Sequence, residues 1–212
     1  MKIELKQIIP IPLADSIKKE SFWGNDWVFE SGERILLNAA SGKGKTTFTH
    51  LLTGLRSDYS GEIKMGGKSI QTFGMDDWTI LRKEKIAVVY QDLQLFTQLT
   101  VAENFSLKLQ LTHCLELDFA REMLEKVGLS NRWNDKCEVL SMGQKQRVAI
   151  IRSLLQPFEW LILDEPFSHL DRENARICMG IIKQRVDELK AGFVLTTLDP
   201  SDEMPVNRKI NL

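Results

Sequence analysis

The sequence predicts an α/β fold in which parallel strands alternate with helices, and three observations predict it. Short apolar runs with the length of buried strands occur at Ile35-Leu36-Leu37, Ile86 to Tyr90, Trp160-Leu161-Ile162-Leu163 and Phe193 to Thr197. Helical stripes accompany them. Phe119, Met123, Leu124 and Val127 form one, stopped by Gly128, and Ala175, Met179, Ile182, Val186 and Leu189 form another. Both read as core-facing. Finally, two strands end in glycine-containing or acidic segments, at the sheet edge where open α/β folds bind ligands.

Length and charge bound the alternatives. The chain has 212 residues, suited to one domain, or one domain with a subdomain, around a sizeable core. With 43% hydrophobic and 27% charged residues, it matches ordinary globular composition. A net charge of −1 removes the electrostatic argument for duplex binding. No apolar run reaches the roughly 18 residues of a membrane span, and the opening Met1 to Leu13 is broken by charge and two prolines. Cys114, Cys137 and Cys178 are widely spaced without a CxxC pair, which indicates packed cytosolic thiols and no disulfide framework or zinc site. No internal repeat is visible.

The strand at Ile35 to Leu37 leads into Ala39-Ala40-Ser41-Gly42-Lys43-Gly44-Lys45-Thr46-Thr47 and then into the helical pattern Phe48, Leu51, Leu52. This approximates the phosphate loop GxxxxGK[ST]. There, backbone N–H groups and a helix N-terminus converge on phosphate oxygens, Lys reaches the β/γ-phosphates and the hydroxyl binds Mg²⁺. Gly44, Lys45 and Thr46 fit; Ala39 stands where the pattern has its first glycine. Judged alone, the segment could also be a turn capping a helix. The strand at Trp160 ends in Asp164-Glu165-Pro166, where Asp164 would hold Mg²⁺ through water and Glu165 would polarise an attacking water. The plain alternative is a solvated strand end.

Between them lies Leu140-Ser141-Met142-Gly143-Gln144-Lys145-Gln146-Arg147, followed by the helical spacing Val148, Ile151, Leu155. Here the chain resembles the ATP-binding cassette (ABC) ATPases, whose signature is LSxGQ. Gln91, after the strand from Ile86, resembles the Q-loop glutamine, and Ser168-His169-Leu170-Asp171 resembles the D-loop. The resemblance runs from about Gly32 to Asp199, with the motifs in the family's order.

The resemblance implies a RecA-like P-loop NTPase core with an antiparallel β subdomain and an inserted α-helical subdomain. Residues 1–212 would form a single nucleotide-binding domain, with 1–91 and 144–212 as core and β subdomain and 92–143 as helical subdomain. It implies an ATPase using ATP and Mg²⁺. Ser41, Gly42, Lys43, Gly44, Lys45, Thr46 and Thr47 would cradle the phosphates, and Thr46, Gln91 and Asp164 would serve the metal. Glu165 and Gln91 would be catalytic. Ser141, the Gly143 N–H, Gln144 and Asp171 would complete the site of a second subunit, so that two ATP molecules join two copies. Hydrolysis would open the dimer.

The resemblance also implies a transmembrane permease partner. The cassette would be cytoplasmic, peripheral at the cytoplasmic face of the inner membrane, without direct insertion and without a nucleic-acid partner. A permease helix would dock beside the Q-loop, in a groove for which Leu95, Phe96, Leu99 and Val101 are candidates; interior packing is their alternative. Compact cassettes of this kind serve lipoprotein release, macrolide-type efflux and mechanotransmission. The runner-up is a regulatory cassette driving a membrane partner without solute transport, as in the cell-division branch. A soluble ribosome or chromosome cassette is disfavoured by the single cassette, the lack of a heptad insertion and the lack of basic excess.

Two positions depart from the family. Leu198 stands where a His usually contacts the γ-phosphate, which predicts slow hydrolysis, or a degenerate cassette, unless His169 substitutes. The stretch from Pro12 to Ser16 lacks the usual aromatic for adenine, leaving Ile11 or Leu13 as the apolar surface, while Phe22, Trp23 and Trp27 read as packing residues under the β subdomain.

Overall fold

The computed structural model describes residues 1–16, 22–38, 42, 44–112, 115–197 and 204–212. Ala39, Ser41, Lys43, Cys114, Leu198 and Asp199 therefore lie outside the described residues. Two sheets organise the chain. Five strands form the central parallel sheet: β3 (Arg34–Asn38), β6 (Ile86–Val89), β7 (Trp160–Asp164), β8 (Gly192–Thr197) and β9 (Arg208–Asn211), in the order β6-β7-β8-β3-β9. The second sheet is antiparallel, with β1 (Ile3–Pro10), β2 (Trp27–Phe29), β4 (Tyr59–Met65) and β5 (Lys68–Ser69) in the order β2-β1-β4-β5.

The apolar runs are buried strands because both faces of the parallel sheet are covered, so alternation with polar residues has no advantage. Leu36, Val89, Leu161, Leu163, Phe193 and Leu195 belong to a core shared with α3 (Val101–Thr112), α4 (Leu117–Lys126), α5 (Met142–Leu154) and α6 (Arg172–Leu189). Ile35, Leu37, Ile86, Trp160, Ile162 and Val194 point the other way, into a core with the antiparallel sheet and α1 (Lys45–Leu52). The period of two along each strand thus assigns neighbours to opposite cores.

The helical stripes fall on α4 and α6, with Met123, Leu124, Ile182 and Val186 buried. Beyond α4, Gly128 takes φ +70°, a turn that glycine adopts without steric cost. Phe22 and Trp23 are buried in the core with the antiparallel sheet, and Trp27 packs against it, stacked on Phe22 at 5.1 Å between ring centroids. Cys137 and Cys178 are buried and free. No helix among the described residues is long and apolar enough to cross a membrane.

Candidate functional site

The site lies at the carboxyl edge of the parallel sheet, where β3 leads towards α1, β6 leads to Gln91, β7 ends at Asp164 and β8 contributes Thr196. Gly44 caps α1 with φ 99° and ψ 19°. A Cβ there would come within 2.7 Å of Leu13 Cδ1 and 3.1 Å of the Trp23 ring, so both conformation and space require glycine. Leu13 and Trp23 thus press on this loop. Gly42 is exposed with φ +76°, and Thr47 is half-buried in the first turn of α1.

The two side chains that follow Gly44 meet the strand ends. Lys45 is 5% exposed, and its Nζ lies 3.2 Å from Glu165 Oε1. The Thr46 hydroxyl donates to Gln91 Oε1 at 3.2 Å. Asp164 is completely buried. The Thr196 hydroxyl donates to its Oδ1 at 2.7 Å, whereas its Oδ2 has no geometrically sound hydrogen bond among the described residues. Burial pushes the Asp164 carboxyl above its ordinary value; the adjoining Thr196 and Thr46 hydroxyls oppose this, the charge of Glu165 adds to it, and His50 opposes it.

Glu165 itself has φ +49°, a left-handed conformation that costs a non-glycine residue roughly 1 kcal/mol or more. The surroundings hold it on both sides. Its N–H donates to Thr196 O at 3.0 Å, and its C=O accepts from Gln146 Nε2 at 3.2 Å. Gln146, fully buried on α5, also donates to Ser168 Oγ at 3.3 Å and accepts from the His169 N–H at 2.9 Å. One amide therefore ties the turn after β7 to the helix that begins at the signature.

The signature residues occupy that helix start. Ser141 and Gln144 form a reciprocal cap: the Gln144 N–H donates to Ser141 Oγ at 3.3 Å, and the Ser141 N–H donates to Gln144 Oε1 at 2.9 Å. A Cβ on Gly143 would lie 2.9 Å from His169 O, so glycine here permits close approach of the 168–171 turn. Asp171 caps α6, accepting from the Asn174 N–H at 2.8 Å, and these Asn174 bonds hold its carboxyl below its ordinary value. The exposed His169 ring pairs with its neighbour Ser168, 3.0 Å from Nδ1 to Oγ.

Beside Gln91 and its loop opens a cavity of about 320 Å³, lined in part by Arg82, Tyr90, Gln94, Phe96, Leu111 and Arg152. Of the four residues expected at a groove, Phe96 lines it and is 57% exposed. Of the other three, Val101 is fully buried in the core and Leu95 packs against that core, the interior packing that was their alternative, and the half-buried Leu99 does not line the cavity. The chain turns back at Leu93 and Gln94, with φ +63° and +50°, sending alternate side chains inward. Arg152 holds this turn by donating to Leu93 O at 3.0 Å and Gln94 O at 2.6 Å.

Sequence reasoning did not single out Gln146, Arg152 or Thr196. A polar residue on the buried stripe of α5 was the available signal for Gln146; for Thr196 it was a hydroxyl inside an otherwise apolar run.

Comparisons with known proteins identify the family and the fold. The family model described as ABC transporter matches residues 24–168. The chain is 31% identical over 185 residues to the lipoprotein-releasing system ATP-binding protein LolD of Saccharophagus degradans, covering 86% of this chain and 81% of the relative. The dimeric structure of MJ0796, a bacterial ABC transporter cassette, superposes with a TM-score of 0.85 at 26% identity, over 99% of this chain and 94% of that one. A dimeric post-hydrolysis state of the same cassette bound to ADP and Pi gives a TM-score of 0.84 at 26% identity over the same shares.

Proposed function

This chain belongs to the ABC transporter family, and on that premise we propose that the group Lys45, Thr46, Gln91, Asp164 and Glu165 is its catalytic centre. The protein is an ATP-binding, ATP-hydrolysing cassette that powers a membrane transporter through ATP-driven dimerisation. Convergence of these five side chains, drawn from three separate segments, is the observation that carries the residue assignment.

Each residue has a definable task. Lys45 and Glu165 form an ion pair. Phosphate oxygens arriving at Lys45 would take over its charge and free the carboxylate to accept a proton from the attacking water. As the water oxygen bonds to the γ-phosphorus, the bond to the β–γ bridging oxygen breaks, and the loop residues Ser41 to Thr47 hold the departing ADP. The left-handed backbone of Glu165, anchored at N–H and C=O, keeps its carboxylate from drifting. Ser141, Gly143, Gln144 and Asp171 would meet the phosphates of a second copy of the chain.

The donor set suits Mg²⁺. Thr46, Gln91 and Asp164 offer hydroxyl, amide and carboxylate oxygens, and the buried Asp164 Oδ2, without a geometrically sound hydrogen bond among the described residues, is an acceptor that a hydrated cation would satisfy. The metal would neutralise charge developing on the phosphates. Adenine would rest on the apolar surface of Ile11 or Leu13, of which Leu13 already touches the phosphate loop.

The permease would dock in the cavity beside Gln91, with the cassette peripheral at the cytoplasmic face of the inner membrane. Residues 92–143 would form the helical subdomain that turns the signature towards a second copy. The test is a titration of Lys45→Ala with Mg-ATP. Loss of tight binding in a folded variant is expected; unchanged affinity would remove the loop from the site.

A further inference from the structure

β8 is buried at all six positions, and of its side chains only those of Thr196 and Thr197 need a polar partner. A hydroxyl in such a strand costs free energy unless it is bonded. Thr196 sits opposite Asp164 in the parallel register, which places both side chains on one face of the sheet, and its hydroxyl donates to Asp164 Oδ1 at 2.7 Å. Valine would fill the same volume. The hydroxyl is thus explained by the carboxylate and not by packing.

Resting on the assignment of Asp164 to the cation, we propose that Thr196 is a positioning residue for the metal site: it occupies one oxygen of the carboxylate and presents the other. Three observations support this role. Oδ1 accepts from the Thr196 hydroxyl, while the buried Oδ2 has no geometrically sound hydrogen bond among the described residues. The Thr46 hydroxyl adjoins the same carboxylate and reaches Gln91, so the remaining acceptor belongs to the group of oxygens suited to a hard cation. The Thr196 carbonyl also accepts from the Glu165 N–H at 3.0 Å, so one residue braces both members of the acidic pair. Outer partners that orient a ligating carboxylate typically change metal affinity by roughly 10- to 100-fold when removed.

The experiment measures binding of a fluorescent ATP analogue to the intact chain during magnesium titration, and separately in EDTA. Thr196→Val should raise the half-saturating magnesium concentration by roughly 10-fold or more while leaving affinity in EDTA unchanged, and Thr196→Ser should restore the parental value. Thermal melting checks that each variant is folded; if the valine variant does not melt cooperatively, Thr196→Ala is read in its place. Parental magnesium dependence in Thr196→Val, or an equal loss of affinity in EDTA, would overturn the positioning role. Asp164→Asn separates the two levels. If it raises the magnesium requirement and Thr196→Val does not, only the role of Thr196 falls; if it has no effect, the assignment of Asp164 to the cation falls with it.

Discussion

Replacing Gln146 by leucine tests how the turn after β7 is held. The side chain is fully buried and makes three hydrogen bonds: to Glu165 O at 3.2 Å, to Ser168 Oγ at 3.3 Å and from the His169 N–H at 2.9 Å. Leucine has similar volume, so a cavity contributes little. Neutral hydrogen bonds of this type contribute about 1 kcal/mol each, so the total loss is roughly 2–4 kcal/mol, because Ser168 regains water. In a chain of this size that corresponds to a fall in Tm of roughly 5–15 °C. Glu165 would also lose one of two anchors on a strained backbone, so phosphate release should fall by more than nucleotide affinity does. Calorimetry and steady-state phosphate release on matched proteins measure both. A Tm within about 1 °C of the parent, with parental turnover, would refute the reasoning.

Glu165→Gln should slow hydrolysis and accumulate an ATP-held dimer detectable by light scattering; parental turnover would remove Glu165 from its role. Burial pushes the Cys178 thiol up to about 12 and raises that of Cys137 as well, so both should resist iodoacetamide at pH 8 in the folded protein and react once it is unfolded. Peptide-resolved mass spectrometry reads this, and prompt labelling of either thiol in the native chain would contradict the packing. Leu198→His should speed hydrolysis by up to about 10²-fold, given the usual effect of one transition-state donor. A fast parent insensitive to the change would point to another donor.

The chain-level pattern was legible in the sequence because its signals are local. Burial on both faces makes central strands continuously apolar, which is why Ile35 to Leu37, Ile86 to Val89 and Trp160 to Leu163 could be read directly. The phosphate-loop glycine at Gly44 was readable from the local GK[ST] spacing, whereas its left-handed φ and the two side chains packed over it, which explain why glycine stands there, came from the structure. β9 escaped notice. Arg208–Asn211 contains a single buried residue, Ile210, so it carries almost no pattern of its own and exists because β3 offers a free edge.

What the sequence determined by itself was the family of elements, their order, and the residue types able to handle phosphate, metal and water, since periodicity and motif spacing act over a few residues. What only the tertiary structure decided was which of these residues meet. Lys45 with Glu165, Thr196 with Asp164, Gln146 with the turn at Glu165, and Arg152 with Leu93 and Gln94 are all contacts between segments far apart in the chain. No local propensity encodes such pairs. They follow from strand order and from the requirement that buried polar atoms find partners, and both are properties of the packed molecule.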